Sequence, residues 1–241
     1  MFGEIKNAQG ERLDYSFSPG SETSKNIVVI GHGVTGNKDR PFILALEQGL
    51  ARSGIASLRF SFSGNGASGG DFMDSTISKE VEDLDVVLNA LNNHAVCYIG
   101  HSMGGAVGVL HASCKKGIKF LVSLAGMVHT KAFARREFGM LTPGAGYMWD
   151  EPGCPLSKAY MDDMARLDTL VDCAKQITVP WLLVHGTADD VVPIQDSHDI
   201  FAKAGQPKQL IEIEGSNHVF GGEFTPIMVE KVVAWLKPRI G

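Results

Sequence analysis

The chain has 241 residues, 44% hydrophobic and 20% charged, with a formal net charge of −5. That length and apolar share suit a single α/β domain with a sizeable core. The mild negative charge, with no basic run beyond Lys115-Lys116 and Arg135-Arg136, argues against nucleic acid or an anionic membrane surface as a partner.

Taken in order, Glu4 to Phe17 alternates weakly around Gly10 and reads as an antiparallel hairpin, and Ser18 to Lys25 reads as a polar turn. The opening residues lack the charged-then-apolar layout of a secretion signal, and no apolar run is long enough to span a bilayer. Asn26 to Ile30 is a continuous β-branched run, the mark of a strand buried on both faces, and it ends in Gly31-His32-Gly33-Val34-Thr35-Gly36. Pro41 then opens a helix to about Ser53, and Gly54 stops it. A strand over Ala56 to Phe62 leads into a flexible loop from Gly64 to Gly70. Ser75 or Thr76 caps a helix to about Asn92, whose apolar positions include Ile77, Leu84, Val87 and Leu88. Its acids Glu80, Glu82, Asp83 and Asp85 read as a solvated face.

A strand from Val96 then meets Gly100-His101-Ser102-Met103-Gly104, with small and apolar residues following at helical density to Leu110. Phe120 to Leu124 is the next strand. From Val128 to Ile177 the rhythm breaks, which predicts a helical lid inserted into the domain. Afterwards Trp181 to His185 is a strand, Asp196 to Ala204 a helix, Gln209 to Ile213 the last strand, and Thr225-Pro226 caps a final helix through Leu236. Alternating strands and helices on both sides of the odd stretch predict a doubly wound, mostly parallel sheet spanning residues 1–241, with 128–177 inserted.

The Gly-x-Ser-x-Gly pattern between a strand and a helix reads as a nucleophile elbow, which lifts the serine hydroxyl beside the helix's N-terminal amides. Serine needs a base within hydrogen-bond reach and a third group to orient that base. In a doubly wound sheet, functional loops lie beyond the carboxyl ends of the strands. Asp189 and Asp190 follow the Trp181 strand, and His218 follows the last one, so an acid and a histidine arrive at the edge that carries Ser102.

With these pieces the chain resembles the α/β-hydrolase superfamily over nearly its whole length. Its motifs are most similar to small feruloyl/cinnamoyl-esterase-like and serine-aminopeptidase-like hydrolases with a lid. The carriers are His32-Gly33, the Arg59 to Gly66 loop, Gly100 to Gly104, His185-Gly186 to Asp189 with Val192-Pro193, and His218. The resemblance implies Ser102 as nucleophile, His218 as general base, Asp189 as orienting acid and the Val34 and Met103 N–H groups as an oxyanion hole. Ser61 stands where relatives commonly carry Asp, at a position that supports a loop.

In the lid, Tyr147, Trp149 and Tyr160 are candidates for substrate contact, with core packing as the plainer reading. His32 and His101 fit packing beside the pocket, His185 a structural donor, and His94, His111, His129 and His198 show no partner pattern. Neither a His-Glu-x-x-His nor a phosphate-loop pattern occurs, so no metal or cofactor is expected. Cys97, Cys114, Cys154 and Cys173 are scattered and read as free thiols in a reducing cytoplasm, Cys97 in the core. The expected activity is cofactor-free cleavage of small or medium acyl or hydroxycinnamoyl esters, with a homodimer allowed. A peptidase or amidase, a carbon–carbon hydrolase or a non-catalytic ligand-binding protein on the same fold are the alternatives.

Overall fold

Runs of consecutive apolar residues cannot hide on one face of a sheet, so they form strands covered on both sides. The computed structural model, which describes residues 2–21, 25–91 and 93–240, bears this out. Its strands are β1 (Tyr15–Ser18), β2 (Asn26–Gly31), β3 (Ala56–Phe60), β4 (Ala95–His101), β5 (Ile118–Leu124), β6 (Trp181–Gly186) and β7 (Lys208–Ile213). They form one sheet in the order β1-β3-β2-β4-β5-β6-β7, parallel throughout except for β1, which pairs antiparallel with β3 at one edge. The helices are α1 (Pro41–Arg52), α2 (Ile77–Ala90), α3 (Met103–Cys114), α4 (Thr130–Phe138), α5 (Lys158–Leu167), α6 (Ile194–Lys203) and α7 (Phe224–Ile240).

Side chains alternate across each strand, and β2 shows where they go. Val28 and Ile30 pack with Ile43 and Leu46 of α1 and Val232 and Leu236 of α7. Ile27 and Val29 pack with Leu84 and Val87 of α2 and Ala106 and Val107 of α3 on the opposite face. The chain leaves β2 through α1 to β3 on one side, then returns through α2 to β4 on the other. That reversal opens a crevice beyond the carboxyl ends of β2 and β4.

Several boundaries differ from expectation for local reasons. The first residues turn back at Gly10, with an isolated Lys6–Arg12 bridge, but from Tyr15 the chain leaves that hairpin to pair with β3. Thr76, not Ser75, caps α2: its Oγ1 accepts the Lys79 N–H at 3.1 Å, while Ser75 Oγ donates to Ser63 O. The expected end of that helix at Asn92, and residues 22–24 of the polar turn, lie outside the described residues. The Gly64–Gly70 loop is tied down rather than loose. Its Gly64 N–H donates to Gly69 O, Gly69 N–H to Arg12 O, and buried Asn65 to Ser63 O and Ser75 Oγ.

The acidic face of α2 is corrected in part: Glu82 is exposed and Asp85 half-buried, but two of its acids are not solvated. Glu80 is 1% and Asp83 0% exposed: α5, from the segment between β5 and β6, packs on α2, and Asn7 and Ser63 reach Asp83. Ser78 Oγ on α2 donates to Asp163 of α5 at 2.7 Å, and Phe133, Phe138, Leu156 and Met164 of the segment join the main core. Asp83 is satisfied by Asn7 Nδ2 at 2.9 Å and Ser63 N–H at 2.7 Å. Neither Glu80 oxygen finds a partner among the described residues. Burial, then the charges of Asp83 and Asp163, push its carboxyl well above the usual value of 4.5.

The raised native pKa means that the folded state holds a proton the unfolded state releases, so this contribution to stability declines as pH rises above 4.5. The slope is at most about 1.4 kcal/mol per pH unit. Glu80→Gln is expected to remove that component and raise the melting temperature at neutral pH relative to wild type. Parallel Tm-versus-pH curves for the two proteins would contradict it.

Candidate active site

Strand β4 and helix α3 meet at a turn too tight for ordinary side chains. A Cβ on Gly100 would lie 2.1 Å from Gly104 O, and one on Gly104 would lie 2.4 Å from His32 O. Gly104→Ala is therefore expected to cost about 3 kcal/mol, read as a fall in unfolding free energy. Unchanged stability would mean that β2 and α3 can separate.

Between those glycines Ser102 sits at φ 54°, ψ −117°, a conformation that L-residues hold only when their surroundings impose it. The turn is held from three sides. Ser102 N–H donates to Leu124 O at 2.9 Å, while Ser102 O accepts from Gly105 N–H and from Met127 N–H at 3.1 Å. Gly33 packs directly against the serine, where a Cβ would come within 2.8 Å of Ser102 Cβ.

The loops after β6 and β7 bring the acid and the histidine together. His218 Nδ1 lies 2.8 Å from Asp189 Oδ2. His185 Nε2 lies 3.1 Å from the same oxygen and 2.9 Å from Val192 O, with Ser197 Oγ 2.7 Å from its Nδ1. Asp189 Oδ1 accepts the Val191 and Val192 N–H groups at 2.9 and 2.8 Å. Burial alone would raise the Asp189 carboxyl, but the hydrogen bonds from His185 and His218 outweigh it and hold the group well below 3.8. Asp190 is exposed.

Since Asp189 is ionised and can only accept, Nδ1 carries the proton in this bond, and a neutral His218 ring then has its lone pair on Nε2. His218 and Ser102 line one cavity of about 510 Å³. His101 supports the arrangement: its Nε2 lies 2.9 Å from His218 O, and its ring is 4.7 Å from the His218 ring. Burial, then the neighbouring His218, lowers His101 to about 3, so it stays neutral and serves as a donor. His32 is lowered to about 4, chiefly by burial; Nδ1–H donates to Gly33 O and Nε2 accepts Phe62 N–H.

The two amide groups expected to face an oxyanion, Val34 N–H and Met103 N–H, come from the loop after β2 and the first turn of α3. A helix leaves its first amides without intrahelical acceptors, and Met103 is the first residue of α3. The Val34 N–H makes no hydrogen bond among the described residues.

Of the three aromatics picked out between β5 and β6, only Trp149 lines the cavity. Its indole Nε1–H donates to Glu137 at 3.0 Å, and its ring stacks edge-on against Phe138 at 5.0 Å. Tyr160 is 1% exposed and packs in the core beside Phe138, and Tyr147 is exposed away from the cavity wall. Core packing claims Tyr160 because α5 packs against α4 and α2.

Sequence patterns offered no signal for other parts of the wall, including Arg40, Phe42, Val219 and Thr225. Phe42 and Thr225 sit in the first turns of α1 and α7, whose convergence depends on how those helices cross the sheet. Three of the histidines without a visible partner pattern also find carboxylates, at 3.1 Å (His111–Asp85), 2.9 Å (His129–Asp199) and 2.8 Å (His198–Glu212). The cysteines remain free thiols, Cys97 buried. Among the described residues no three His, Cys, Asp or Glu side chains gather as a metal site, and no helix is long and apolar enough to cross a membrane.

Comparison with known proteins adds four likenesses. A family model described as the alpha/beta hydrolase family matches residues 27–224. The uncharacterized protein YfhR of Escherichia coli (strain K12) is 24% identical over 251 residues, covering 98% of this chain and 81% of that protein. Human mitochondrial palmitoyl-protein thioesterase ABHD10 is 27% identical over 169 residues, 65% of this chain and 55% of that one. Among solved structures, Est1E from Butyrivibrio proteoclasticus with ferulic acid bound has a TM-score of 0.82 at 22% identity, with 98% of each chain covered. That last likeness is one of fold.

Proposed function

We propose that this chain, which belongs to the alpha/beta hydrolase family, is a serine hydrolase that cleaves carboxylic esters through an acyl-enzyme. The observation that carries the reading is the strained Ser102 sharing a cavity with a His218 whose Nδ1 is bound to a buried, ionised Asp189. Histidine held in that tautomer can take the serine proton only at Nε2, the nitrogen a general base requires.

In the proposed mechanism the Ser102 oxygen attacks the ester carbonyl as His218 Nε2 takes its proton. The Met103 and Val34 N–H groups hold the resulting oxyanion, a contribution worth about 10²–10³ per donor in related chemistry. His218 then protonates the leaving alcohol. Water, deprotonated by the same nitrogen, releases the acid and restores Ser102. Residues 128–177 act as a lid, with Trp149 as their contribution to the acyl site.

The cavity's size, within the range of about 300–1,000 Å³ usual for small-molecule sites, supports a small or medium acyl group or a hydroxycinnamoyl group. The ferulic acid bound in the Est1E structure supports a hydroxycinnamoyl group, and the thioesterase name of ABHD10 supports acyl transfer from an ester-type bond more generally. The test is turnover of p-nitrophenyl esters from acetate to octanoate and of methyl ferulate, together with labelling by a fluorophosphonate probe. Turnover with labelling at Ser102 is the expected result. A folded protein that takes no label and hydrolyses none of these esters would overturn the reading.

A further inference from the structure

Among the residues lining the cavity, Arg40 is the one that carries a permanent charge. Much of the remaining wall is apolar, contributed by Val34, Pro41, Phe42, Trp149, Val191 and Val219. Arg40 makes no ion pair among the described residues, although acids lie close by in sequence and space. Asp39 pairs with Lys38 and Arg59, Glu47 with Arg59 at 2.9 Å, and Asp14 with Lys38 at 3.3 Å. These three carboxylates are therefore engaged by other cations.

The guanidinium is nonetheless held in place. Its Nη2 donates to Thr35 O at 2.7 Å, and Thr35 sits at φ 56° on the cavity wall. Its backbone is fixed where α1 begins, with Arg40 O accepting from Ile43 N–H at 2.9 Å and Leu44 N–H at 3.1 Å. The charge acts on groups in two separate segments. His32, lowered chiefly by burial, is lowered further by Arg40, and Arg40 also acts on the Cys154 thiol against the raising effect of burial and Glu151.

We propose that Arg40 is a specificity-determining residue that receives a carboxylate on the substrate, so that the preferred substrates are anionic esters such as half-esters of dicarboxylic acids. This rests on the serine-hydrolase reading of the same cavity. A guanidinium fork matches a carboxylate in shape and charge. One guanidinium without a second free cation beside it suits a singly charged carboxylate better than a phosphate dianion, since Lys38 is already paired with Asp14 and Asp39.

The experiment compares near-isosteric ester pairs. Monomethyl adipate against methyl hexanoate places the charge on the acyl side, and 4-acetoxybutanoate against butyl acetate places it on the alcohol side. Methyl 6-phosphonohexanoate tests the phosphate-like alternative. Each is assayed with wild type, Arg40→Gln and Arg40→Lys, with Tm as the folding check. Wild type is expected to favour the carboxylate member of at least one pair by about tenfold in kcat/KM, the scale of one solvent-exposed charge-assisted contact. Arg40→Gln should bring that ratio near one through KM, Arg40→Lys should keep part of it, and added salt should weaken it.

Equal turnover of both members of both pairs by wild type, or a ratio unchanged in Arg40→Gln, would overturn the assignment while leaving the serine-hydrolase reading intact. A preference for the phosphonate over the carboxylate would overturn the carboxylate assignment. No turnover of any ester, with Ser102 unlabelled by fluorophosphonate, would remove the serine-hydrolase reading and this inference with it.

Discussion

Ser102→Ala is expected to lower ester turnover by about 10⁶-fold and to abolish fluorophosphonate labelling, with Tm no lower than wild type. The size follows from losing a covalent step. Without the hydroxyl, His218 has no nucleophile to activate, and only transition-state binding by the proposed oxyanion donors remains, a residue of about 10³ over water. Stability should survive because the turn is held by the backbone. Leu124 O, Gly105 N–H and Met127 N–H bond the main chain of residue 102, and the removed oxygen is part of none of these contacts. The measurement is kcat on the most active p-nitrophenyl ester, with the melting curve beside it. Full retention of turnover would sink the mechanism.

Asp189→Asn is expected to lower kcat by about 10⁴-fold, whereas Asp190→Asn leaves it unchanged. Asp189 Oδ2 accepts from both His218 Nδ1 and His185 Nε2, and Oδ1 accepts from two backbone amides, so all of its contacts require an acceptor. An asparagine must present its NH₂ at one oxygen position or the other. Placed toward His218, it turns Nδ1 into the acceptor and puts the proton on Nε2, where the base is needed. Placed toward Val191 and Val192, it leaves two amides facing a donor. The side chain of Asp190 is exposed and makes none of these bonds. Equal losses in the two variants would place the acid wrongly.

The same substitution has a stability consequence of definite sign. Asp189 is held below 3.8 in the folded protein, so it stabilises above that value, and the contribution is lost as pH falls toward the native pKa. Asp189→Asn should therefore lose stability at neutral pH and show a shallower decline on acidification. An unchanged acid-unfolding profile would contradict the buried, hydrogen-bonded carboxylate geometry.

Much of the architecture was legible because it depends on local pattern. Asn26–Ile30 and Trp181–His185 are too uniformly apolar to be anything but strands covered on both faces, and Pro41 and Gly54 bracket α1 by fixed backbone preferences. The candidate triad could be read for a related reason. In a parallel sheet every strand delivers its following loop to one edge, so Gly33, Ser102, Asp189 and His218 were bound to converge once their strands were recognised.

Where the reading failed, the deciding contacts were between segments far apart in the chain. Glu80 and Asp83 look like solvent-facing helix positions until α5 packs near the first and Asn7 and Ser63 bond the second. The choice for Tyr160 between pocket and core falls to the core once it is buried beside Phe138. The pairing of His111, His129 and His198 with acids likewise joins different elements. Arg40 stands out only in three dimensions, when Lys38 and Arg59 are seen to hold the neighbouring acids and leave its charge facing the cavity. The sequence by itself determined the strands, the turn glycines and the edge at which the site forms, because these follow from periodicity and backbone sterics. Tertiary structure alone decided which charges are buried, which are paired and which face the cavity, because those depend on what packs against each side chain.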